Sequence, residues 1–312
     1  MSFGYKVLGF GSGAGAQYIV ATGGTETTSG DDKIHTFTGP GTFTVCKVAA
    51  DAANNLVSYV VIGGGGASGQ DQAGGAGAGG YREVKSPVTT YTASPLDGYA
   101  TPGNRITVTG TGYPITVGAG GAGADYPNPV NSGAASTFST ITSAGGGGGG
   151  SQGPAPGKPG IAGGSGGGGA EASGSPHAGG AGNTPATTPS QGNAGGTGVN
   201  GSYGGAGGGA GEEGNADGGG YGGDGVTSEI DGTPTARAGG GGCYIVACTA
   251  GGPGGDGGGG TGAYPDASQS SAVRGAANTG GGAGGATGYQ TSAYQPGSNG
   301  GSGIVVIRYK NK

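Results

Sequence analysis

The sequence predicts a mainly β chain in which packed polyglycine II helices form a sandwich, framed by short N- and C-terminal β-strands, with essentially no α-helix. Three observations predict this fold class. Glycine supplies 91 of the 312 residues, whereas charged residues supply only 9%. Short runs of β-branched and aromatic residues recur along the chain and lead into glycine tracts. Glycine and proline interrupt every window that is long enough to hold a helix.

The glycine tracts have a period of three. One register contains Gly157, Gly160 and Gly163, a second begins at Gly195, and a third begins at Gly251. Three residues per turn is the repeat of the extended left-handed helix, which has no internal hydrogen bonds. Ordering glycine costs about 1–2 kcal/mol per residue. With no Trp and five Phe, side-chain burial is too small to offset that cost, so we expect hydrogen bonds between neighbouring helices to do so.

The strand pattern is densest before residue 117. Alternation in residues 33–48 predicts a β-hairpin with one buried face, turning at Gly39–Pro40–Gly41. The predicted strands are 18–21, 33–38, 42–48, 56–62, 81–85, 105–109, 113–117, 136–142, 243–248 and 303–309.

The chain is accordingly divided into three parts. Residues 1–20 are predicted to be an N-terminal docking peptide, 21–117 the β-rich part, and 118–312 the polyglycine II layer with variable loops and a closing strand. The first strand of the domain is the alternative interpretation of the peptide. The residues expected to dock it on a larger assembly are Phe3, Tyr5, Val7, Leu8 and Phe10.

Several function classes are disfavoured. A net charge of −5 without a basic stripe disfavours nucleic acid, and no apolar run approaches the length of a membrane span. No secretory signal is evident in residues 1–13, so release by host lysis is expected for a protein that acts outside the cell. No catalytic constellation can be assembled, so we expect a non-enzyme without a cofactor.

No metal site is predicted. His35 and His177 are the only histidines, and neither has a partner at ligand spacing. Glu212, Glu213 and Asp217 form the densest acidic cluster, which is predicted to be a solvated loop, with weak Ca²⁺ binding as the alternative. The cysteines are too few for a disulfide framework, and each is expected to be a buried thiol because it lies in an apolar run. They are Cys46, Cys243 and Cys248.

The loops combine Tyr, Pro, Asn, Ser and Thr with few charges, which is typical of binding loops. Tyrosine gives a large contact area at low entropic cost, and its ring stacks on sugar faces. Shielding of the loop backbone, or packing beneath it, is the alternative role. The tyrosines predicted to include receptor-contacting residues are Tyr91, Tyr99, Tyr126, Tyr264, Tyr289 and Tyr294.

The order of the pieces resembles a known family. The pieces are IHTFTGPGTFTV at 34–45, SYVVIGGGGASG at 58–69, GGAGAGGYRE at 74–83, YPITVGAGGAG at 113–123, STFSTITSAGGGGGG at 136–150 and GGSGIVVIRY at 300–309. They resemble the glycine-rich domain of bacteriophage tail-fibre and virion structural proteins. The start, MSFGYKVLGFGSG, is similar to the N-termini of structural proteins from phages of marine bacteria.

The resemblance implies a virion protein that is made in the host cytoplasm and exposed on the particle exterior. Related fibre-tip adhesins display variable loops on packed polyglycine II helices and are not enzymes. The implied partners are other virion proteins and a host surface receptor, such as a polysaccharide or an outer-membrane protein, with homo-oligomerisation as a further option. The alternatives are a capsid decoration or head-fibre protein, and a secreted glycine-rich structural or antifreeze-like protein.

Overall fold

The computed structural model describes residues 17–123, 130–152, 158–171, 177–246, 250–264, 271–287 and 296–312. The described residues contain no α-helix, and their short 3₁₀ helices are Ala52–Asn55, Gly98–Ala100 and Pro102–Asn104. Their strands are β1 (Val20–Thr22), β2 (Thr25–Ser29), β3 (Asp32–Phe37), β4 (Gly41–Lys47), β5 (Leu56–Ile62), β6 (Tyr81–Val84), β7 (Ile106–Thr107), β8 (Gly112–Thr116), β9 (Ser136–Phe138), β10 (Ile141–Ser143), β11 (Val226–Ser228), β12 (Thr235–Arg237) and β13 (Ile304–Lys310).

These strands form two main sheets and one separate hairpin. The outer sheet has the order β1-β4-β8-β9-β10, and the central sheet has the order β2-β3-β13-β5-β6, with β7 also pairing with β5. Strands β11 and β12 form the hairpin. All of these pairings are antiparallel. The closing strand β13 therefore lies in the middle of the central sheet, between β3 and β5.

The middle of the central sheet is buried on both faces. Val57, Tyr59 and Val61 pack in the cluster that it shares with the outer sheet. Val60 and Ile62 alternate with them and pack in a second cluster on the opposite face. A strand that is buried on both faces is expected to be a continuous apolar run, which explains why residues 56–62 could be recognised from the sequence.

The predicted fold class is confirmed, although three of the predicted elements are wrong. Residues 136–142, which were predicted to be one strand, form the two paired strands β9 and β10. Strands β3 and β4 do not form a hairpin with each other, because β3 pairs in the central sheet and β4 in the outer sheet. Residues 243–246 do not form a strand, and the remaining two residues of the prediction, 247 and 248, lie outside the described residues. Cys243 and Tyr244 continue a glycine segment, and Ile245 makes only a single bridge to Tyr203.

The cysteines differ in their environments. Cys243 is buried, as predicted, whereas Cys46 is exposed. The prediction for Cys46 was wrong because β4 turns Phe43 and Val45 into the core, which places the residue after Val45 on the solvent face. Cys248 lies outside the described residues.

The glycine segments hydrogen-bond to several neighbours in rotation. Segment 63–68 donates its amide hydrogens to three other segments, and residues three positions apart donate to the same segment. The donors and acceptor segments are Gly63 and Gly66 to 77–80, Gly64 and Ala67 to 131–134, and Gly65 and Ser68 to 298–301. Segment 73–80 repeats the pattern with segments 280–286, 144–150 and 205–208. Three neighbours with a period of three is the arrangement of polyglycine II, and we call these segments glycine helices.

At most of their glycine positions, the glycine helices lie closer together than a side chain would allow. A Cβ atom added to Gly75 would lie 2.0 Å from the carbonyl oxygen of Gly241, and one added to Gly168 would lie 2.0 Å from that of Gly205. Glycine helices on both sides of residue 117 belong to this network. Backbone pairing therefore orders this part of the chain, where a conventional side-chain core is missing.

Candidate recognition surface

The turn at residues 69–72 lies at the end of the glycine helices that is remote from the sheets. Strand β5 leads into this turn through residues 63–68, and the chain returns through 73–80 to β6, where Ile62 and Tyr81 are paired. Asp71 and Gln72 both have positive φ, of 63° and 46°, a conformation that Asp adopts more readily than most residues. We call this region, around Ser68, Asp71 and Gln72, the glycine end.

The turn is bonded to the starts of three further connections. Asp71 N donates to Thr287 O at 3.1 Å, Gln152 N donates to Asp71 O at 3.0 Å, and Glu171 N donates to Gln72 O at 3.1 Å. Thr287, Gln152 and Glu171 are the last described residues before 288–295, 153–157 and 172–176. These three connections therefore leave from a single place.

Three more connections leave from the same end. Gly123 N donates to Asn299 Oδ1 at 2.7 Å just before residues 124–129, and Asn299 follows Ser298, which is bonded to Ser68. Val246 donates to Ser202 just before residues 247–249, and Ala263 donates to Gly285 just before residues 265–270. Each of the six segments outside the described residues that interrupt the chain after residue 17 is thus preceded by a residue of the glycine end.

The predicted tyrosines divide between the two ends. Tyr264, which is half-buried, is at the glycine end, directly before residues 265–270. Tyr126, Tyr289 and Tyr294 lie outside the described residues, in segments whose flanks are at the glycine end. The predicted docking residues, from Phe3 to Phe10, also lie outside the described residues.

Tyr91 and Tyr99 lie at the opposite end, beside the central sheet. Tyr91 is 8% exposed and belongs to the second buried cluster, where Arg308 lies 5.0 Å from its ring centroid. Tyr99 is half-buried against the first cluster, and Arg105 covers its ring at 4.2 Å. Both rings therefore have packing partners within the chain.

A polar cleft of about 340 Å³ opens at the glycine end. It lies between the residues that follow segment 265–270 and those that follow segment 288–295. Its described lining consists of Ser271, Ala272, Arg274, Pro296, Gly297, Ser298 and Asn299. Arg274 and Asn299 are exposed, and Gly275 N donates to Asn299 O at 3.0 Å, which holds the two sides of the cleft together.

A family model described as a glycine-rich domain matches residues 37–310. The chain belongs to this glycine-rich domain family. The match begins at the last residue of β3 and ends at the last residue of β13, so it covers the glycine helices and the strands from β4 to β13. No curated protein matches the chain. Among the described residues, no helix combines the length and apolarity needed to cross a membrane.

The glycine-rich domain also has an acidic cleft. Carboxylate oxygens of Glu212, Asp217 and Asp224 lie within 4.8 Å of one another, beside a cleft of about 220 Å³ that Asp256 also lines. Glu212 Oε1 accepts from Asp224 N at 3.1 Å, and Asp224 Oδ1 accepts from Asp256 N at 2.6 Å. Two of the three carboxylates thus serve as acceptors for backbone amides. Sequence reasoning had selected Glu212 and Asp217 but not Asp224.

A further pair of carboxylates lies at the turn of the glycine end. Burial raises the pKa of Asp71 above its usual value, and the negative charge of Glu171 raises it further. Glu171 is 4% exposed, and its Oε1 accepts from Gly201 N at 2.7 Å. Sequence reasoning missed both residues and also Arg274, since nothing in the pattern of single loops shows which loops meet in space.

Proposed function

We propose that this glycine-rich domain protein is a bacteriophage tail-fibre or fibre-tip adhesin that presents the connections of its glycine end to a receptor on the host surface. The observation that carries the proposal is the convergence of six connections on one end of a hydrogen-bonded scaffold. Binding residues are found disproportionately on loops that a rigid framework positions. The proposal assigns no enzymatic activity.

The glycine helices suit this role because they hold the loops without using loop side chains. Their hydrogen bonds join backbone to backbone, and their closest contacts are between glycine and carbonyl oxygen. The sequence of a connection can therefore vary while the glycine helices on either side keep their partners. Variable tips on a constant frame are what an adhesin needs when its receptor changes.

The sheet end suits attachment to the particle. Strand β1, which follows the predicted docking peptide, is the edge strand of the outer sheet. A docking peptide at residues 1–20 would therefore join the domain at the end opposite the connections. The proposed partners are other virion proteins at the sheet end and a host polysaccharide or outer-membrane protein at the glycine end, with the protein on the exterior of the particle.

The test is binding of the fluorescently labelled full chain to a panel of bacterial cells, measured by flow cytometry. Wild-type protein should label a subset of strains. The double variant Tyr289→Ala/Tyr294→Ala should lose at least tenfold in apparent affinity, because these residues lie in a connection of the glycine end. Tyr99→Ala is the matched control, since its ring is held at the sheet end, and it should label the same strains as wild type.

Two outcomes would contradict the proposal. One is the absence of labelling in every strain, including strains infected by phages that carry this gene. The other is loss of labelling in Tyr99→Ala but not in the double variant. Immunogold labelling of phage particles shows where the protein lies on the particle. A few copies at the fibre tips would agree with the proposal, whereas hundreds of copies on the capsid would contradict it.

A further inference from the structure

The cleft at Ser271–Asn299 has the size and polarity of a small-ligand site. Its volume of about 340 Å³ is at the lower end of the range for ligand pockets, about 300–1,000 Å³. The described lining contains two serines, an asparagine and an arginine but no carboxylate. The ligand that fits such a lining is small, polar and rich in hydrogen-bond acceptors.

Arg274 differs from the other four arginines of the chain. Each of the others has a partner that fixes its guanidinium, whereas the structure records no such partner for Arg274 among the described residues. The partnered arginines are Arg82 with Asn104 Oδ1, Arg105 with Tyr99 O, Arg237 with Asp231, and Arg308 with Asp32. Arg274 therefore keeps its hydrogen-bond donors available in the cleft.

The neighbouring donors are held in place by the glycine helices. Asn299 Oδ1 accepts from Gly123 N, which leaves the amide nitrogen of Asn299 as the donor end of the side chain. The backbone of Ser298 is fixed by two bonds to Ser68: Ser298 N donates to Ser68 Oγ at 2.8 Å, and Ser298 O accepts from Ser68 N at 3.0 Å. The cleft thus combines a guanidinium with preorganised neutral donors and hydroxyls, and preorganisation reduces the entropic cost of binding.

We propose that this cleft binds an acidic sugar residue of the host surface, with its carboxylate paired to Arg274 and its hydroxyls bonded to Ser271, Ser298 and Asn299. A guanidinium matches the planar geometry of a carboxylate and can bind it through two parallel hydrogen bonds. The proposal rests on the adhesin function and names the receptor chemistry. It also distinguishes this cleft from the acidic one beside Asp217 and Asp224, which would repel such a ligand.

The test measures binding of glucuronic acid, glucose 6-phosphate and glucose to the full chain by ligand-observed NMR. Glucuronic acid should bind at least tenfold more tightly than glucose, and glucose 6-phosphate should bind more weakly than glucuronic acid. Arg274→Ala should lower the affinity for glucuronic acid at least tenfold. Arg274→Lys should restore only part of it, because lysine keeps the charge but not the paired donors.

The matched control is Arg105→Ala, which removes another exposed arginine but at the sheet end. It should leave the affinity for glucuronic acid within twofold of wild type. Equal binding of glucose and glucuronic acid, or an unchanged affinity in Arg274→Ala, would overturn the proposal. Tighter binding of glucose 6-phosphate would overturn the choice of a carboxylate.

Cell labelling separates this proposal from the adhesin function. If wild-type protein and Arg274→Ala label the same strains equally, the acidic-sugar site is wrong while the adhesin function stands. If neither labels any strain although glucuronic acid binds at Arg274, the cleft stands and the adhesin function fails. We expect wild-type protein to label cells and Arg274→Ala to label none. Addition of 10 mM glucuronic acid should reduce the wild-type labelling by roughly the fraction of clefts that the free sugar occupies.

Discussion

Asp32 and Arg308 form a buried ion pair, with Arg308 Nε donating to Asp32 Oδ2 at 2.8 Å. Both residues are 2% exposed. Arg308 also donates to the carbonyl oxygens of Thr90, Glu229 and Ile230, and Asp32 Oδ2 accepts from Thr90 N at 3.0 Å. The pair therefore fastens loop 86–97 and the turn of the β11–β12 hairpin to the central sheet.

Removing one partner of this pair should destabilise the fold strongly. Arg308→Met leaves the Asp32 carboxylate buried without its cation, so the free energy of unfolding should fall by about 3–5 kcal/mol. Urea denaturation measures the change. The double variant Arg308→Met/Asp32→Asn should lose less than the sum of the single variants, because neither charge is then left unpaired. Additive losses would show that the pair is not coupled.

Alanine in a glycine helix should be costly because the added Cβ meets backbone. Gly75→Ala would place this atom 2.0 Å from Gly241 O, and the neighbouring helix can give way only by breaking its own hydrogen bonds. We expect the free energy of unfolding to fall by about 3 kcal/mol. Gly110→Ala is the control, since nothing lies within 4 Å of its Cβ position. Its stability should be unchanged or rise by up to about 1 kcal/mol, and equal losses in the two variants would contradict the packing.

Acid should destabilise the protein through His35. Its Nδ1 lies 2.6 Å from Gly23 O and its Nε2 lies 3.0 Å from the Tyr309 hydroxyl, which suits a neutral ring that donates to the first and accepts from the second. Burial lowers the pKa of His35 below its usual value of 6.5. The folded state therefore resists protonation, and the stability that His35 contributes is present above pH 6.5 and is lost as the pH falls through the lowered pKa.

The variant His35→Gln tests this pH dependence. Its thermal unfolding midpoint should change less between pH 7 and pH 5 than that of wild type, even if the variant is less stable at pH 7. Glu26 and Lys33 are the charged groups that act on His35, and they remain in the variant. An identical pH profile in the two proteins would exclude His35 as the source.

The two described cysteines should react at very different rates. Cys46 is exposed on the outer sheet, whereas Cys243 is buried among glycine helices, and burial raises the pKa of the Cys243 thiol. Since the thiolate is the reactive form, iodoacetamide should modify Cys46 in the native protein and Cys243 only after denaturation. Peptide mass spectrometry locates the label. Rapid labelling of Cys243 in the native protein would contradict the closed packing around it.

Some strands could be predicted from the sequence and others could not. Strands β5 and β13 are continuous apolar runs, and burial on both faces requires such runs. Strand β2, with the sequence TETTS, was missed because it is polar and mostly exposed, and β11 and β12 were missed because three residues are too few to show an alternation. Alternation in β4 showed that Phe43 and Val45 are buried, but β3 is buried on both faces and not on one, and the pattern did not show which sheet each strand joins.

The glycine network was predictable in kind but not in detail. Period three and the low apolar content indicated laterally bonded helices, since no other source of stability was available. Which segment bonds to which depends on the path of the whole chain, and the registers from Gly157 or Gly195 carry no side chains that could specify a partner. The meeting of Arg274 with Asn299 depends on that path, and for this reason the polar cleft could not be foreseen.

Successive amides of segment 63–68 donate to three neighbouring segments in turn, and this arrangement limits how the length of a glycine helix can change. Deleting one residue inside a glycine helix would turn each later amide by a third of a turn toward a different partner, whereas deleting three would remove one whole turn and preserve every remaining pairing. Natural insertions and deletions in glycine helices should therefore be multiples of three residues. The connections between the helices should tolerate insertions and deletions of any length.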